Sequence, residues 1–270
     1  MTQLKRFSGL LTALALTACA TPVYQTSNPS CEPPSSYPKY GRDGHQDTTY
    51  IVALMAGHSP NDAALLSFYN QAADDIWLRF SAPPVTFWGS VTNWGYRHRI
   101  IAVLHSLHGG DASAVVARRQ RLAREIALAR PDDSEYFWTT GLMLHALGDS
   151  FAHTRPDGRA YGELYGHAFA GHLPDIIGDR PDLYLSYVET MFDALETEGA
   201  DRTALEDYSR RIRELAGMDH EAYRTAVIAY RDSLASTPVF DCDVLADRLT
   251  MGEVNRFLTR LETALTTTGG

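Results

Sequence analysis

The residues best suited to chemistry in this 270-residue chain lie in one apolar segment, His145-Ala-Leu-Gly-Asp149-Ser-Phe-Ala-His153. His145, Asp149 and His153 are spaced four apart, and on an α-helix this spacing places side chains on nearly the same face. A carboxylate buried in an apolar frame needs a partner, because leaving it unpaired is costly. A divalent cation such as zinc would be one partner. A hydrogen-bonded His–Asp–His network in a helical core is the alternative, and spacing alone does not choose between them.

Further histidines point to the same chemistry, since nine of the ten lie between His45 and His172. Histidine is the commonest metal ligand in proteins. His45 follows Asp43-Gly44, His105 ends an apolar run, and His167 and His172 lie five apart beside glycines. Each of these alone is equally consistent with a core or surface histidine. Together they predict a shared metal site.

Adjacent carboxylates at Asp74 and Asp75 interrupt an otherwise apolar helical pattern. Both lie at the flanks of the apolar stripe, so spacing does not choose between them as a metal ligand. Either carboxylate would also suit a catalytic role, by bridging metals or by orienting a water molecule. A solvated helix end is the alternative interpretation.

Helical spacing dominates the segments that must position these residues. No stretch keeps a strand period for long, so the predicted class is all-α, with one helical domain over residues 42–270. The predicted helices are Asn61–Phe80, Ala112–Ala129, Ser134–Ala152, Pro181–Glu198, Asp201–Ala216, Glu221–Ser236 and Met251–Thr266.

The N-terminus has the order of a secretory signal peptide, with Lys5 and Arg6 before the apolar run Phe7–Leu16. About ten residues are too few to span a bilayer core of roughly 30 Å as a helix. Leu-Thr-Ala-Cys at the end of the run resembles the bacterial lipobox, which implies cleavage after residue 18 and lipidation of Cys19. An ordinary signal peptide or a plain membrane anchor is the alternative.

Residues 19–41 are rich in proline, serine and threonine, which predicts an extended tether between lipid and domain. With Cys19 lipidated, Cys31 and Cys242 form an even pair in an oxidising compartment. They predict a disulfide between tether and C-terminal region, with two free thiols as the alternative. Ala20 follows Cys19 in place of the aspartate that often marks inner-membrane retention. By resemblance to known lipoproteins, the outer membrane of the cell envelope is the expected location.

The chain carries a formal net charge of −9, which becomes −11 when the signal segment with Lys5 and Arg6 is removed. Such an acidic domain does not attract nucleic acid by bulk charge. An anionic substrate would need a local cation, and a bound metal ion would supply one.

These motifs together resemble the bacterial zinc-dependent phospholipase C and single-strand-specific zinc nuclease superfamily. The resemblance covers roughly residues 43–190 and is nearest to uncharacterised bacterial lipoproteins of that type. It rests on Asp43-Gly-His45, Ala56-Gly-His-Ser-Pro60, Asp74-Asp75 and Leu147-Gly-Asp-Ser-Phe-Ala-His-Thr154. The matching order of metal ligands is His45, Asp74 or Asp75, His105, His145, Asp149, His153 and His167.

This resemblance implies an all-α domain in which several helices direct His and Asp side chains onto one to three zinc ions. The family's amino-terminal tryptophan ligand is missing, and Gly171 stands four residues after His167, where the family has a carboxylate. One or two ions are therefore expected. The implied activity is metal-dependent phosphoester hydrolysis, with phospholipid as a possible substrate of a lipid-anchored protein. A non-catalytic metal-binding or structural periplasmic lipoprotein is the alternative.

Overall fold

A computed structural model describes residues 42–76, 79–163, 174, 176–234 and 241–266. These ranges contain eleven α-helices and no β-strand, which confirms the predicted all-α class. The described helices share one apolar core. They are α1 Thr48–Met55, α2 Pro60–Asp75, α3 Ala82–Thr92, α4 Trp94–His98, α5 Ala112–Leu128, α6 Tyr136–Ala152, α7 Pro181–Leu195, α8 Arg202–Arg213, α9 His220–Asp232, α10 Cys242–Asp247 and α11 Met251–Thr266.

Helix α6 is the central element, and it packs against α2, α5 and α7. Its glycines permit close approach by neighbouring elements. A Cβ at Gly141 would lie 3.0 Å from the backbone nitrogen of Asn70 on α2, and a Cβ at Gly148 would lie 3.0 Å from the His45 ring. The absence of these two methyl groups lets α2 and the His45 segment contact the α6 face that carries His145 and Asp149.

Two short π-helical segments, Asp43–Asp47 and Arg99–Leu104, are among the elements that the sequence did not reveal. Their hydrogen bonds run from residue i to residue i−5, as from the Asp47 nitrogen to the Arg42 carbonyl at 2.9 Å. The His105 nitrogen bonds to the Ile100 carbonyl in the same way at 3.0 Å. Such turns change the direction of side chains relative to an α-helix and are frequent at functional sites. His45 lies inside the first segment, and His105 directly follows the second.

Helix α2 is shorter than predicted, because it ends at Asp75 and not at Phe80. Ile76 has φ −80° and ψ 70°, which leaves the helical region. Ser59 caps the other end by accepting a hydrogen bond from the Asp62 nitrogen, and Pro60 occupies the first helical position. The early end places Asp74 in the last turn of α2. Helices α3 and α4 follow, in a region where the sequence predicted none.

The predictions for the N-terminal region concern residues outside the described ranges. These are the signal peptide 1–18, lipidation at Cys19, and the tether 19–41. Cys242, at the start of α10, is buried and disulfide-bonded. Its predicted partner Cys31 lies outside the described residues, so the pairing stays a prediction. Among the described helices, none combines the length and the apolar composition needed to cross a bilayer.

Candidate metal centre

Five of the predicted ligands converge in the core, and each is at most 8% exposed. They come from four parts of the chain: the first π-helical segment, the end of α2, the residue after the second π-helical segment, and α6, which supplies two of them. Their ligand atoms form two overlapping groups, each within 4.8 Å, that could hold a metal ion. The groups are His45–Asp74–His145 and His105–His145–Asp149.

The closest atoms form a triangle of two ring nitrogens and one carboxylate oxygen. His105 Nδ1 lies 3.0 Å from Asp149 Oδ2, and His145 Nε2 lies 3.2 Å from the same oxygen. The two ring nitrogens are 3.1 Å apart. Ligands bound to zinc at 2.0–2.1 Å in a tetrahedron are separated by about 3.3 Å. The spacing of these donor atoms therefore fits one face of a tetrahedral zinc site.

Backbone carbonyls determine which ring nitrogen of His105 and of His145 is available to bind a metal ion. His105 Nε2 donates to the Phe80 carbonyl at 2.7 Å, and His145 Nδ1 donates to the Asn70 carbonyl at 3.0 Å. A carbonyl oxygen only accepts, so these nitrogens carry hydrogen and the other nitrogen of each neutral ring presents a lone pair. The two lone pairs and the carboxylate oxygen face one another, and a proton or a cation must lie among them to offset their repulsion.

His45 and Asp74 complete the surroundings of this triangle. His45 Nε2 lies 3.2 Å from Asp149 Oδ1, and its ring stacks on that of His145 with centroids 4.3 Å apart. The Asp74 oxygens lie farther away, 3.9 Å from His45 Nε2 and 3.9 Å from His105 Nδ1. The side chain of Asp74 is 12% exposed, against 0–3% for the other four. Asp74 is thus the most accessible member of the centre.

The two groups of candidate ligand atoms could hold one ion at a time and not one ion each. Both groups contain His145, and its Nδ1 is bonded to the Asn70 carbonyl. Only Nε2 is then available, and one ring nitrogen binds one ion. Of the predicted one to three ions, these two groups could therefore hold one between them. The predicted ligands His167 and His172 lie outside the described residues.

Two other predicted ligands lie beside the centre and not within either group. His153 Nδ1 donates to the His105 carbonyl at 2.7 Å and lies 3.6 Å from Asp149 Oδ2. Through this nitrogen His153 holds the backbone that carries His105. Asp75 is buried next to Asp74. Its charge acts on Arg42. Burial lowers the pKa of Arg42, and the charges of Asp47 and Asp75 partly offset this effect. The geometry thus favours Asp74 over Asp75, a choice that the sequence left open.

The charges of the metal-free centre are set by competition between burial and pairing. Burial alone would raise the pKa of Asp149, but His153 and His145 outweigh it and hold that pKa well below its usual range. Burial alone would lower the pKa of His145, but Asp149 and Asp74 outweigh it and raise that pKa. Burial and the neighbouring His145 lower the pKa of His45. Without metal, the pairing of these groups therefore favours an ionised Asp149 and a protonated His145.

A second layer of residues, which the sequence did not reveal, supports His105. Ser106 has φ 51°, an unusual conformation for a residue with a side chain. Its Oγ donates to the Ala146 carbonyl at 2.7 Å and accepts from Arg118 Nε at 3.1 Å. Burial lowers the pKa of Arg118 to about 10, an effect that the charge of Asp149 opposes. Ser106 turns the chain directly after His105, and no sequence signal marks a serine in this conformation.

Comparison with known proteins does not extend these observations, because no family model, curated protein or solved structure matches this chain. The resemblance to the zinc-dependent phospholipase C superfamily stays a prediction from the motifs. The function must therefore be argued from the geometry of the centre.

Proposed function

We propose that this protein is a metal-dependent phosphoester hydrolase in which His105, His145 and Asp149 would hold a zinc-type ion and leave one position for a bound water. The observation that carries the proposal is the triangle of His105 Nδ1, His145 Nε2 and Asp149 Oδ2. Its edges of 3.0–3.2 Å match the ligand spacing of tetrahedral zinc. Nitrogen ligands with one carboxylate are the donor set of many catalytic zinc sites.

When bound, such an ion polarises a phosphoryl oxygen and acidifies a water molecule. The residues of this chain have distinct parts in that chemistry. Asp149, which its histidine neighbours keep ionised, supplies negative charge to the ligand set. Asp74 lies farthest from the ring nitrogens and is the most exposed member. For this reason we assign Asp74 the role of general base, which accepts a proton from the attacking water.

We further propose a phospholipid as the substrate class and the outer membrane of the cell envelope as the setting. Lipidation at Cys19 would keep the domain near a membrane, where phosphodiesters of lipids are abundant. The net charge of −9 disfavours a nucleic acid, because its backbone is a polyanion. Membrane association through Cys19 and hydrolysis at the centre are separate parts of this proposal.

Neighbouring carboxylates on α2 provide a matched test of the hydrolase. Asp74→Asn should lower kcat/KM for a soluble chromogenic phosphodiester by about 10²- to 10⁴-fold, the range of a lost general base. Asp75→Asn, at a buried neighbour outside both groups, should leave bound zinc and kcat/KM near the wild-type values. Steady-state kinetics of the full chain with zinc would measure both. Equal activity of Asp74→Asn and wild type would rule out this role.

A second candidate function is a metal site that is structural or sequesters zinc. The burial of the ligands favours it, since His45 and His145 are 0% exposed and structural zinc sites are closed. Elemental analysis distinguishes this function from hydrolysis when paired with the kinetics. Zinc that is retained by the wild-type chain and lost in His145→Ala, with no turnover of phosphodiesters, would favour this candidate. Equal zinc in His145→Ala and wild type would remove His145 from the ligand set.

A further inference from the structure

Helices α3 and α4 expose large apolar side chains to solvent. Phe87 is 68% exposed, Trp88 59%, Val91 83% and Trp94 59%. These four residues, here called the aromatic patch, lie within eight positions of one another. The other large hydrophobic residues exposed in the described ranges are dispersed, on α5, before α9, and on α10 and α11. A concentration of this kind marks an interaction surface, whereas single exposed apolar residues are ordinary.

The hairpin of α3 and α4 holds the patch outward through a packed inner side. Val85 on α3 is buried, and a Cβ at Gly89 would lie 2.7 Å from the Cβ of Arg97. Arg97 is 1% exposed and donates to the Glu163 carboxylate at 3.1 Å and to its carbonyl at 3.0 Å. Its guanidinium lies 4.8 Å from the centre of the Trp94 ring. Because the inner side is anchored, the exposure of the aromatic patch belongs to the folded hairpin.

The composition of this hairpin suits a lipid surface. Residues 81–96 contain no Asp, Glu, Lys, Arg or His, although the chain as a whole has a net charge of −9. An acidic protein surface is repelled by anionic lipid, so an uncharged segment is the part that can approach it. Tryptophan favours the boundary between acyl chains and water, because its ring is apolar and its N–H is polar. Two tryptophans, a phenylalanine and a valine therefore form an interfacial set.

The patch is also connected to the metal centre through the chain. The segment 81–104 begins directly after Phe80, whose carbonyl holds His105 Nε2, and ends directly before His105 itself. The hairpin thus lies between Phe80, which is hydrogen-bonded to the centre, and His105, which belongs to it. A surface that docks on lipid at this hairpin would be linked covalently, at both ends, to the site of the proposed reaction.

We propose that the aromatic patch docks the domain on a lipid bilayer, with its tryptophans at the interface. The predicted tether of 23 residues from Cys19 to Gly41 reaches at most about 80 Å when extended. Such a tether keeps the domain near the membrane and leaves its orientation free. The patch would set that orientation. Delivery of a phospholipid to the centre rests on the proposed function, whereas the docking itself rests on the patch alone.

Quenching of tryptophan fluorescence by brominated lipids tests the docking on the full chain. The chain is combined with vesicles of phosphatidylcholine and phosphatidylglycerol, with and without bromine on the acyl chains. Wild-type fluorescence should be quenched, and about 0.5 M salt should leave the quenching unchanged because the patch is uncharged. Phe87→Ser/Val91→Ser keeps both tryptophans of the patch and should lower the quenched fraction at least about twofold. Absence of quenching in the wild type would overturn the proposal.

Dispersed exposed residues provide the matched control. Leu128→Ser/Met218→Ser removes two apolar side chains that are 63% and 58% exposed and should leave the quenching unchanged. Trp88→Phe/Trp94→Phe should abolish the quenchable fraction, which assigns it to the patch. Equal quenching in Phe87→Ser/Val91→Ser and wild type would contradict the docking. A dimer in solution that dissociates on the same double substitution would show that the patch binds a second copy and not lipid.

Failure of this inference is distinguishable from failure of the proposed function. Phe87→Ser/Val91→Ser should keep wild-type zinc content and wild-type kcat/KM for a soluble phosphodiester, because neither side chain belongs to the centre. Asp74→Asn should keep the quenching by brominated lipid. Quenching without any phosphodiester turnover would support the docking and contradict the hydrolase. Turnover without quenching would support the hydrolase and contradict the docking.

Discussion

In most proteins charged side chains are exposed and large apolar side chains are buried. The metal centre and the aromatic patch depart from this distribution in opposite directions. The centre places charged and polar groups, among them Asp149 and His145, where they are at most 2% exposed. The patch places Trp88 and Trp94 where they are 59% exposed. Both arrangements are unfavourable for an isolated chain, since buried charges lose hydration and exposed aromatic rings order water. We propose a different partner outside the chain for each region, a cation for the centre and a lipid surface for the patch.

The two regions differ in how far the fold supports them. The ligands of the centre are linked to one another and to carbonyls of Asn70 and Phe80. The outward side chains of the patch have few contacts, such as that of Phe87 with Trp88 at 5.2 Å between ring centres. Substitutions at the centre should therefore affect stability strongly, and substitutions at the patch should affect it little. Four predictions test this contrast.

The largest effect on the free energy of unfolding is expected for Asp149→Asn. The amide removes the negative charge that faces His45, His105 and His145, and breaking a buried ionic network costs about 3–5 kcal/mol. Urea unfolding with a chelator present would measure this loss in the free energy of unfolding. Asp193→Asn is the control, because that carboxylate is 54% exposed and surface pairs contribute about 0–1 kcal/mol. Equal stability of Asp149→Asn and wild type would contradict a buried charged centre.

Zinc should raise the melting temperature of the wild-type chain. A ligand at about 1,000 times its Kd adds about 4 kcal/mol, which corresponds to about 8–16 °C for a domain of this size. Calorimetry with zinc and with chelator would measure the difference. The same comparison on His145→Ala should show a much smaller shift. A shift of equal size in both proteins would place the zinc elsewhere.

The increase in melting temperature caused by zinc should also be larger at pH 8 than at pH 6. In the metal-free protein, burial lowers the pKa of His145, but Asp149 and Asp74 outweigh it and raise the pKa. The stability from this proton is complete below the unfolded pKa of about 6.5 and is lost as pH rises through the folded value. Zinc requires the neutral ring and releases the proton, so its affinity should rise by up to about tenfold per pH unit while the pH is below the folded pKa of His145. His45 competes less for a proton, because burial lowers its pKa.

The smallest effect is expected at the patch. Phe87→Ser/Val91→Ser should change the free energy of unfolding by about 0.5 kcal/mol per site or less, as is usual for exposed positions. Val85→Ser on the buried side of the same helix should cost about 2–3 kcal/mol. Urea unfolding of both variants would give the two values. A similar loss in both would mean that the patch is packed within the chain and is not a free surface.

Several parts of this architecture follow from local patterns. The row of His145 and Asp149 on α6 follows from a spacing of four in an apolar helix, and α11 has the predicted bounds Met251–Thr266. The clustering of histidines indicated a shared site before any contact was known. Helices α3 and α4 were missed, because their exposed apolar residues do not form the stripe that a buried helix face produces.

The helical class, the candidate ligands and the face of α6 that carries them follow from the sequence alone, because helical periodicity is a local property. The approach of Asp74 to the ring nitrogens depends on tertiary packing. So does the choice of which nitrogen of His105 and His145 can bind a metal ion. The same holds for the sharing of His145 by the two groups and for the turn of the chain at Ser106 after His105. These features depend on carbonyls and side chains supplied by distant segments, and no local spacing encodes where two packed helices place such atoms.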